Sequence, residues 1–220
     1  MINTAQSKHL NVKIREEELT LLPERVIFWK RKNALLISDL HLGKSGHFRK
    51  AGIALPSSIH HDDIDRLSRI ISEFPVQKLF LLGDLFHSTH NREWNHFLAW
   101  RKNFPSLEIH LIKGNHDILD AQLIHEAEII LHLEQFEAPP FLFVHNNYDK
   151  HSTAYILCGH IHPAIHFTGR AKQSATLPCF WFGKNSGVLP AFGNFTGNAI
   201  ISPSEGDLVF FIVEGKVKAL

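Results

Sequence analysis

The stretch Ala34-Leu35-Leu36-Ile37-Ser38-Asp39-Leu40-His41 sets the pattern for the chain. A run of four apolar residues, closed at once by polar ones, reads as a buried strand. The same form recurs four times. Leu79-Phe80-Leu81-Leu82 runs into Gly83-Asp84, and Ile109 to Ile112 runs into Lys113-Gly114-Asn115-His116-Asp117. Phe141-Leu142-Phe143-Val144 runs into His145, and Tyr155-Ile156-Leu157-Cys158 runs into Gly159-His160-Ile161-His162.

Two helices fit between the first three runs. Ser57 or Ser58 can cap a stretch with Ile59, Ile64, Leu67, Ile70, Ile71 and Phe74 near one face, and Pro75 stops it. Asn91 to Phe104 places Trp94, Phe97, Leu98, Arg101 and Phe104 at helical spacing ahead of Pro105. Strand, helix, strand, helix, strand predicts an α/β sheet with helices on its faces. Beyond residue 163 the pieces become short and β-like: Ala164 to Thr168, Thr176 to Phe182, Val188-Leu189 and Leu208 to Val213, broken by Gly and Pro. They predict a second sheet packed on the first.

At 220 residues the chain can bury a sizeable core and is short enough for one domain, expected over residues 1–220. The net charge of +1 is not the footprint of a strongly basic nucleic-acid binder, although a local basic patch is compatible with it. Seventeen histidines are unusual, and histidine is the commonest metal ligand. His9, His60, His61, His96, His110, His125 and His132 fall in no motif. Cys158 and Cys179 form no Cys-x-x-Cys pair, which argues against a thiolate zinc site. Reduced thiols are expected, with a disulfide between the two left open. Met1 to Glu18 is polar and charged, without the apolar region of a secretory signal, and no apolar run approaches membrane-spanning length. A cytoplasmic protein that does not engage a membrane is expected.

The residues after the five runs have ligand chemistry. In open α/β sheets ligands bind outside the carboxyl ends of the strands, so the fold should gather these motifs at one edge. At an extended strand end, residues i and i+2 point the same way, so Asp39 and His41 can reach one ion, and His160 and His162 repeat that spacing. Asp84 follows a glycine and has two oxygens with which to bridge two cations. Asn115 offers a neutral carbonyl oxygen. Imidazole, carboxylate and amide without thiolate favour Mn²⁺, Fe²⁺ or Zn²⁺ over Mg²⁺ or Ca²⁺ without choosing among the three, and Mn²⁺ is taken as the expected ion. Each motif alone is commonplace: a capped turn, a tight turn, a satisfied buried histidine, a solvated loop. Five in this order, each after an apolar run, imply two divalent metals side by side and cleavage of a phosphate ester.

The series Asp-x-His, Gly-Asp, Gly-Asn-His-Asp, His, Gly-His-x-His resembles that of the calcineurin-like metallophosphoesterases. The resemblance implies a four-layered α/β/β/α sandwich, two packed mixed sheets flanked by helices. It implies a first metal on Asp39, His41, Asp84 and His162, and a second on Asp84, Asn115, His145 and His160, with Asp84 bridging. His116 would contact the phosphate and protonate the leaving oxygen, and Asp117 would orient His116 through a hydrogen bond. Many members carry Gly-His-Gly or Gly-His-Ala where this chain reads Val144-His145-Asn146. The ligand is kept, while its loop is set for a different shape.

The flanks are closer to one subgroup. Leu22-Pro23-Glu24-Arg25, Asp39 to Lys44, Phe48 to Ile53, Gly159 to Pro163, Leu177 to Gly183 and Leu189 to Gly197 resemble the bacterial ligase-associated DNA-damage-response metallophosphoesterases. That likeness implies a DNA substrate in repair, and functional company with a DNA ligase, a helicase and an exonuclease.

Hydrolysis by two metals with His116 as general acid is the expected chemistry. Lys44, His47, Arg49 and Lys50 can grip phosphates or form a solvated basic loop. His87 can face the site or bond loop backbone. Phe180-Trp181-Phe182, Phe192 and Phe195 can stack bases, but sheet core is the favoured role. A small-molecule or nucleotide phosphoesterase, including the lipid-precursor pyrophosphatases, is the alternative substrate class. A catalytically inactive binding module is the third reading, and the complete ligand set argues against it.

Overall fold

The five apolar runs become five strands, and their neighbours in two sheets explain why they are apolar. The structure, a computed structural model, describes residues 8–42, 59–86, 92–118, 120–146, 152–169, 173–194 and 196–220. The first sheet holds, in spatial order, β1 (Leu10–Ile14), β2 (Glu17–Leu22), β3 (Val26–Trp29), β4 (Ala34–Ile37), β5 (Lys78–Leu81), β6 (Glu108–Ile112) and β7 (Ile129–His132). β1 to β4 pair antiparallel, and β4 to β7 pair parallel. The parallel crossovers run through α1 (Ile59–Glu73), α2 (Arg92–Arg101) and α3 (Ala121–Glu126). Parallel strands covered on both faces need continuous hydrophobic runs, and all four residues of β4 are buried.

The second sheet collects the C-terminal half. Its strands are β8 (Gln135–Ala138), β9 (Phe141–Val144), β10 (Tyr155–Cys158), β11 (Pro163–Thr168), β12 (Ser174–Phe182), β13 (Ser186–Val188), β14 (Ala199–Ile200), β15 (Leu208–Val213) and β16 (Lys216–Ala219). The spatial order is β14-β11-β12-β13-β10-β9-β8, with β15 pairing β12 and β16. β9, β10 and β13 are parallel neighbours, and the hairpins β8–β9, β11–β12 and β15–β16 are antiparallel.

Two apolar layers follow. Leu67, Ile70, Ile71, Trp94, Phe97, Trp100 and Ile124 from the helices pack on Leu35, Ile37, Leu79, Leu81, Ile109 and Leu111 of the first sheet. The alternate residues Leu36, Phe80, Leu82 and Ile112 face the second sheet and meet Phe141, Phe143, Leu157, Phe180 and Phe182. Phe180, Phe182 and Phe192 are therefore core residues, as favoured from the sequence. Phe195 lies outside the described residues. Of the four expected layers, the described residues build three. Among them no helix covers the far face of the second sheet, where Leu142, Ile156, Cys158 and Val188 cluster. Cys158 and Cys179 are buried free thiols. Among the described residues no helix is long and apolar enough to cross a membrane.

Phe80 joins the two sheets. It stacks on His110 at 4.7 Å, meets Phe143 edge-on at 5.0 Å and is 3% exposed. Phe80→Ala should therefore cost roughly 3–5 kcal/mol of stability, the range for emptying an aromatic core site. Urea unfolding followed by circular dichroism checks this, and a loss below about 1 kcal/mol would mean the sheets do not pack through this residue.

The N-terminal meander β1–β3 has no counterpart in the sequence reading, for a local reason. The β1–β2 hairpin turns on Arg15 and Glu16, both at positive φ (50° and 65°). A two-residue hairpin usually announces itself with Asn-Gly or Asp-Gly, and Arg-Glu carries no such signal. The alternation that buries Leu19 and Leu21 also lies in a segment rich in glutamate.

Candidate metal centre

β4, β5 and β6 end side by side in the first sheet, and β9 and β10 end side by side in the second. The loops that follow meet across the seam. The ligand-type residues thus gather at the facing edges of two sheets, not at one edge of a single sheet as expected. Hydrogen bonds from the β9 and β10 loops help to stitch the seam. The His160 N–H donates to Asp39 Oδ2 at 2.9 Å, and the His145 Nδ1–H donates to the Leu82 carbonyl at 2.9 Å.

Six side chains form two groups, Asp39 with His41 and His162, and Asp84 with His145 and His160. In the first, His162 Nε2 lies 3.2 Å and His41 Nε2 4.0 Å from Asp39 Oδ1. In the second, His145 Nε2 lies 3.5 Å from Asp84 Oδ2 and 3.1 Å from His160 Nδ1. Asp84 Oδ2 is also 3.8 Å from His41 Nε2, so one carboxylate oxygen sits between the two groups.

The expected backbone geometry needs correcting. Asp39 and His41 are not at an extended strand end; both have left-handed φ, 53° and 49°. Asp84 (51°), His160 (73°) and His162 (52°) share it. The i, i+2 argument fails for the last pair too, because His160 and His162 fall in different groups. Non-glycine residues in this region cost about 1–3 kcal/mol each, so the surroundings must hold them. The hydrogen bonds Asp39 N–H to Gly83 carbonyl (3.1 Å) and His41 N–H to Asp84 carbonyl (2.9 Å) do so by continuing the β4–β5 ladder past its regular end.

Each carboxylate is tied by one oxygen and open at the other. Asp84 Oδ1 accepts from the His116 N–H at 2.9 Å, as Asp39 Oδ2 accepts from His160. Both amides belong to Gly-led loops that close tightly on the acid. A Cβ on Gly114 would lie 2.2 Å from Asp84 Oδ1, and one on Gly159 would lie 2.5 Å from Asp39 Oδ2. Only glycine allows the main chain so near. The imidazoles are steered likewise. Nδ1 of His145 and of His162 donate to the Leu82 and Gly197 carbonyls, both at 2.9 Å, which turns each Nε2 toward a carboxylate. A carbonyl behind an imidazole is the usual support of a metal-binding histidine.

The electrostatics match a cation site. Burial works to raise the Asp84 pKa, but the His145 imidazole, the His116 N–H and His41 outweigh it, and the carboxyl is lowered to about 2. Burial works to lower His145, but Asp84 and the Leu82 carbonyl outweigh it and raise it to about 9. Burial and the nearby His145 lower His160, which favours the neutral imidazole that can ligate a metal. Asp39 Oδ1 is buried without a hydrogen bond. A buried anionic oxygen in that state calls for a positive charge. The donor set of carboxylates and imidazoles without thiolate fits borderline divalent cations.

Asn115 and His116 sit in the exposed turn after β6. The His116 ring stands edge-on to His41 with centroids 5.5 Å apart. Asp117 is buried, and its oxygens accept from the Gly114 N–H (2.9 Å) and the Phe86 N–H (3.1 Å), tying the β5 and β6 loops together. Lys44, Arg49 and His87 lie outside the described residues, as do His47, Lys50, Ser57 and Ser58. His110 and His132, which fell in no motif, bond each other at 2.9 Å.

The whole chain has a structural counterpart. It superposes on the crystal structure of Pseudomonas putida nuclease MPE with a TM-score of 0.82 and 29% identity, over 96% of this chain and 100% of that one. The likeness is to a metallophosphoesterase, in line with the resemblance to the calcineurin-like metallophosphoesterases. The chain's two packed mixed sheets are the metallophosphoesterase-type sandwich. More distant are AQ665 from Aquifex aeolicus, a protein of unknown function (TM-score 0.43, 20% identity, 59% of this chain and 78% of that one), and zinc-complexed Vps29 from Entamoeba histolytica (0.36, 14%, 85% and 96%), and neither carries weight here. Neither protein-family models nor curated protein sequences give a match.

Some residues that shape this centre had no role assigned from sequence. The Leu82 and Gly197 carbonyls are main-chain groups and leave no sequence signal. Arg25 and Arg66 fasten residues 191–194, directly beneath Asp39. Arg25 lies in a flank that resembles the ligase-associated subgroup, but nothing in its local sequence says what it touches.

Proposed function

We propose that this metallophosphoesterase hydrolyses phosphodiester or phosphomonoester bonds with two divalent cations, and that its substrate is DNA. The observation that carries the reading is Asp84 Oδ2, set between the Asp39–His41–His162 group and the His145–His160 pair. Asp39, His41, Asp84 and His162 would hold one cation, and Asp84, Asn115, His145 and His160 the other. Mn²⁺ is favoured, with Fe²⁺ or Zn²⁺ as alternatives. The cations would supply Lewis acidity toward phosphate oxygens and a water acidic enough to ionise near neutral pH.

The remaining steps fall to the protein. His116, on an exposed turn beside His41, gives its ring proton to the leaving oxygen. Asp117 positions His116 by bracing the Gly114–Asp117 turn through Gly114 and Phe86. Lys44, Arg49 and His87 contact the substrate phosphate. DNA as substrate is supported by the full-length likeness to the Pseudomonas putida nuclease and by the flanking segments. The same flanks support a cytoplasmic role in DNA repair beside a DNA ligase, a helicase and an exonuclease. The near-neutral net charge of +1 favours a second reading, a nucleotide or small-molecule phosphoesterase.

A Mn²⁺-supplemented assay of nicked, flapped and single-stranded DNA beside a panel of nucleotide diesters separates the two. Cleavage of DNA, with binding that weakens steeply in salt, supports the first. Fast turnover confined to small diesters overturns it.

Gly114→Ala tests the close approach behind Asp84. The added methyl would displace the carboxylate it meets at 2.2 Å. Mn²⁺ affinity should fall about 10–100-fold or more, as when a supporting group is lost. Calorimetric titration reads the affinity, and unchanged binding would mean Asp84 is not held as described.

A further inference from the structure

The loop after β13 runs directly beneath the first group of ligands. The Phe192 N–H donates to the Ser38 carbonyl at 2.8 Å and the Gly193 N–H to the Asp39 carbonyl at 3.1 Å. A Cβ on Gly193 would lie 2.5 Å from the Leu40 carbonyl oxygen, so the two main chains are in full contact. Further on, the Gly197 carbonyl accepts from His162 Nδ1 at 2.9 Å, and the Ala199 N–H donates to the His162 carbonyl at 3.0 Å. One loop thus supports the backbone of Asp39 and orients the imidazole of His162. The Asp84–His145–His160 group is held instead through Leu82, His116 and Asp39.

Charged side chains from two distant elements hold this loop. Arg66, on α1, donates to the Phe192 carbonyl and, at 3.1 Å, to Asn194 Oδ1. Its guanidinium lies 4.1 Å over the Phe192 ring, which is fully buried. Asp63, one turn earlier and 3% exposed, pairs with Arg66 at 2.9 Å and accepts from Asn194 Nδ2 at 2.7 Å. Arg25 donates to the Ala191 and Gly193 carbonyls at 3.2 and 3.3 Å. Successive carbonyls at 191, 192 and 193 are each claimed by a guanidinium. A planar fork of donors suits this task, and an ammonium does not.

We propose that Arg66, with Asp63 and Arg25, is a positioning residue for the metal subsite of Asp39, His41 and His162. It sets that subsite's affinity from behind by fastening residues 191–194, and leaves the Asp84–His145–His160 subsite alone. The proposal rests on the metal-site reading above.

Manganese titration of the full-length protein, by calorimetry and elemental analysis, tests both without reference to turnover. The wild type should bind two Mn²⁺. Arg66→Ala should bind one with wild-type affinity and the other about 10–100-fold more weakly, the usual cost of losing a support behind a ligand. Arg66→Lys should recover little of it. Asn194→Ala, which removes the side-chain links to Arg66 and Asp63 and leaves the carbonyl contacts, should show a smaller loss at the same subsite and stands in if Arg66→Ala does not fold. Unchanged binding at both subsites overturns the positioning role, and so does equal weakening at both, which is the mark of a merely structural residue. A wild type that binds no Mn²⁺ overturns the metal-site reading itself.

Discussion

Asp84→Asn should empty both metal subsites at once and abolish hydrolysis. The substitution keeps the shape and the contact with the His116 N–H but removes the charge. That charge is held in place, since the carboxyl pKa is lowered to about 2 despite burial. Its free oxygen lies 3.5 Å from His145 Nε2 and 3.8 Å from His41 Nε2, one imidazole from each group. The Asp39 carboxylate instead faces His41 and His162 of its own group. The fall in kcat/KM should exceed about 100-fold, the upper end of what loss of an outer support costs. Elemental analysis of the dialysed variant should find far less than two equivalents of Mn²⁺. Asp39→Asn is the comparison, because it should weaken one subsite and spare the other. Equal metal content in wild type and Asp84→Asn would remove the bridge from the account.

His116→Ala should give the opposite split, with both metals retained and turnover lost. The side chain is exposed and stands edge-on to His41, while its backbone N–H donates to Asp84. Its removal leaves the ligand set intact while taking away the proton donor. A lost general acid costs roughly 10²–10⁴-fold in kcat. The leaving group sharpens the test. A deoxyribose alkoxide needs a proton as it departs, and a p-nitrophenolate does not. The variant should therefore lose far less activity on bis-p-nitrophenyl phosphate than on DNA. Equal loss on both substrates would assign His116 to phosphate binding instead.

The sequence carried the chemistry further than the geometry. Five apolar runs ending in ligand-type residues announced five strands and the loops after them, because buried parallel strands cannot hide their composition, and the short β-like pieces beyond residue 163 announced a second sheet. The N-terminal meander escaped because its first turn is built on Arg15 and Glu16 at positive φ. The i, i+2 spacing of Asp39–His41 and His160–His162 proved a false guide, since all four residues leave the extended region. Aspartate and histidine are enriched among non-glycine residues at left-handed φ, but most copies of either lie elsewhere, so their presence alone does not announce it. The meeting of two sheet edges was equally hidden, being a matter of how β4–β6 and β9–β10 pack. The Arg66–Asp63–Asn194 clamp joins residues more than 120 positions apart, beyond the reach of any local pattern.

The central claim is a pair of cations that share Asp84. Anomalous diffraction at the manganese edge, from crystals grown with Mn²⁺, tests it most directly. Two peaks are expected, one among Asp39, His41, Asp84 and His162 and one among Asp84, Asn115, His145 and His160. A single peak, or peaks elsewhere with these side chains left as they are, would contradict it.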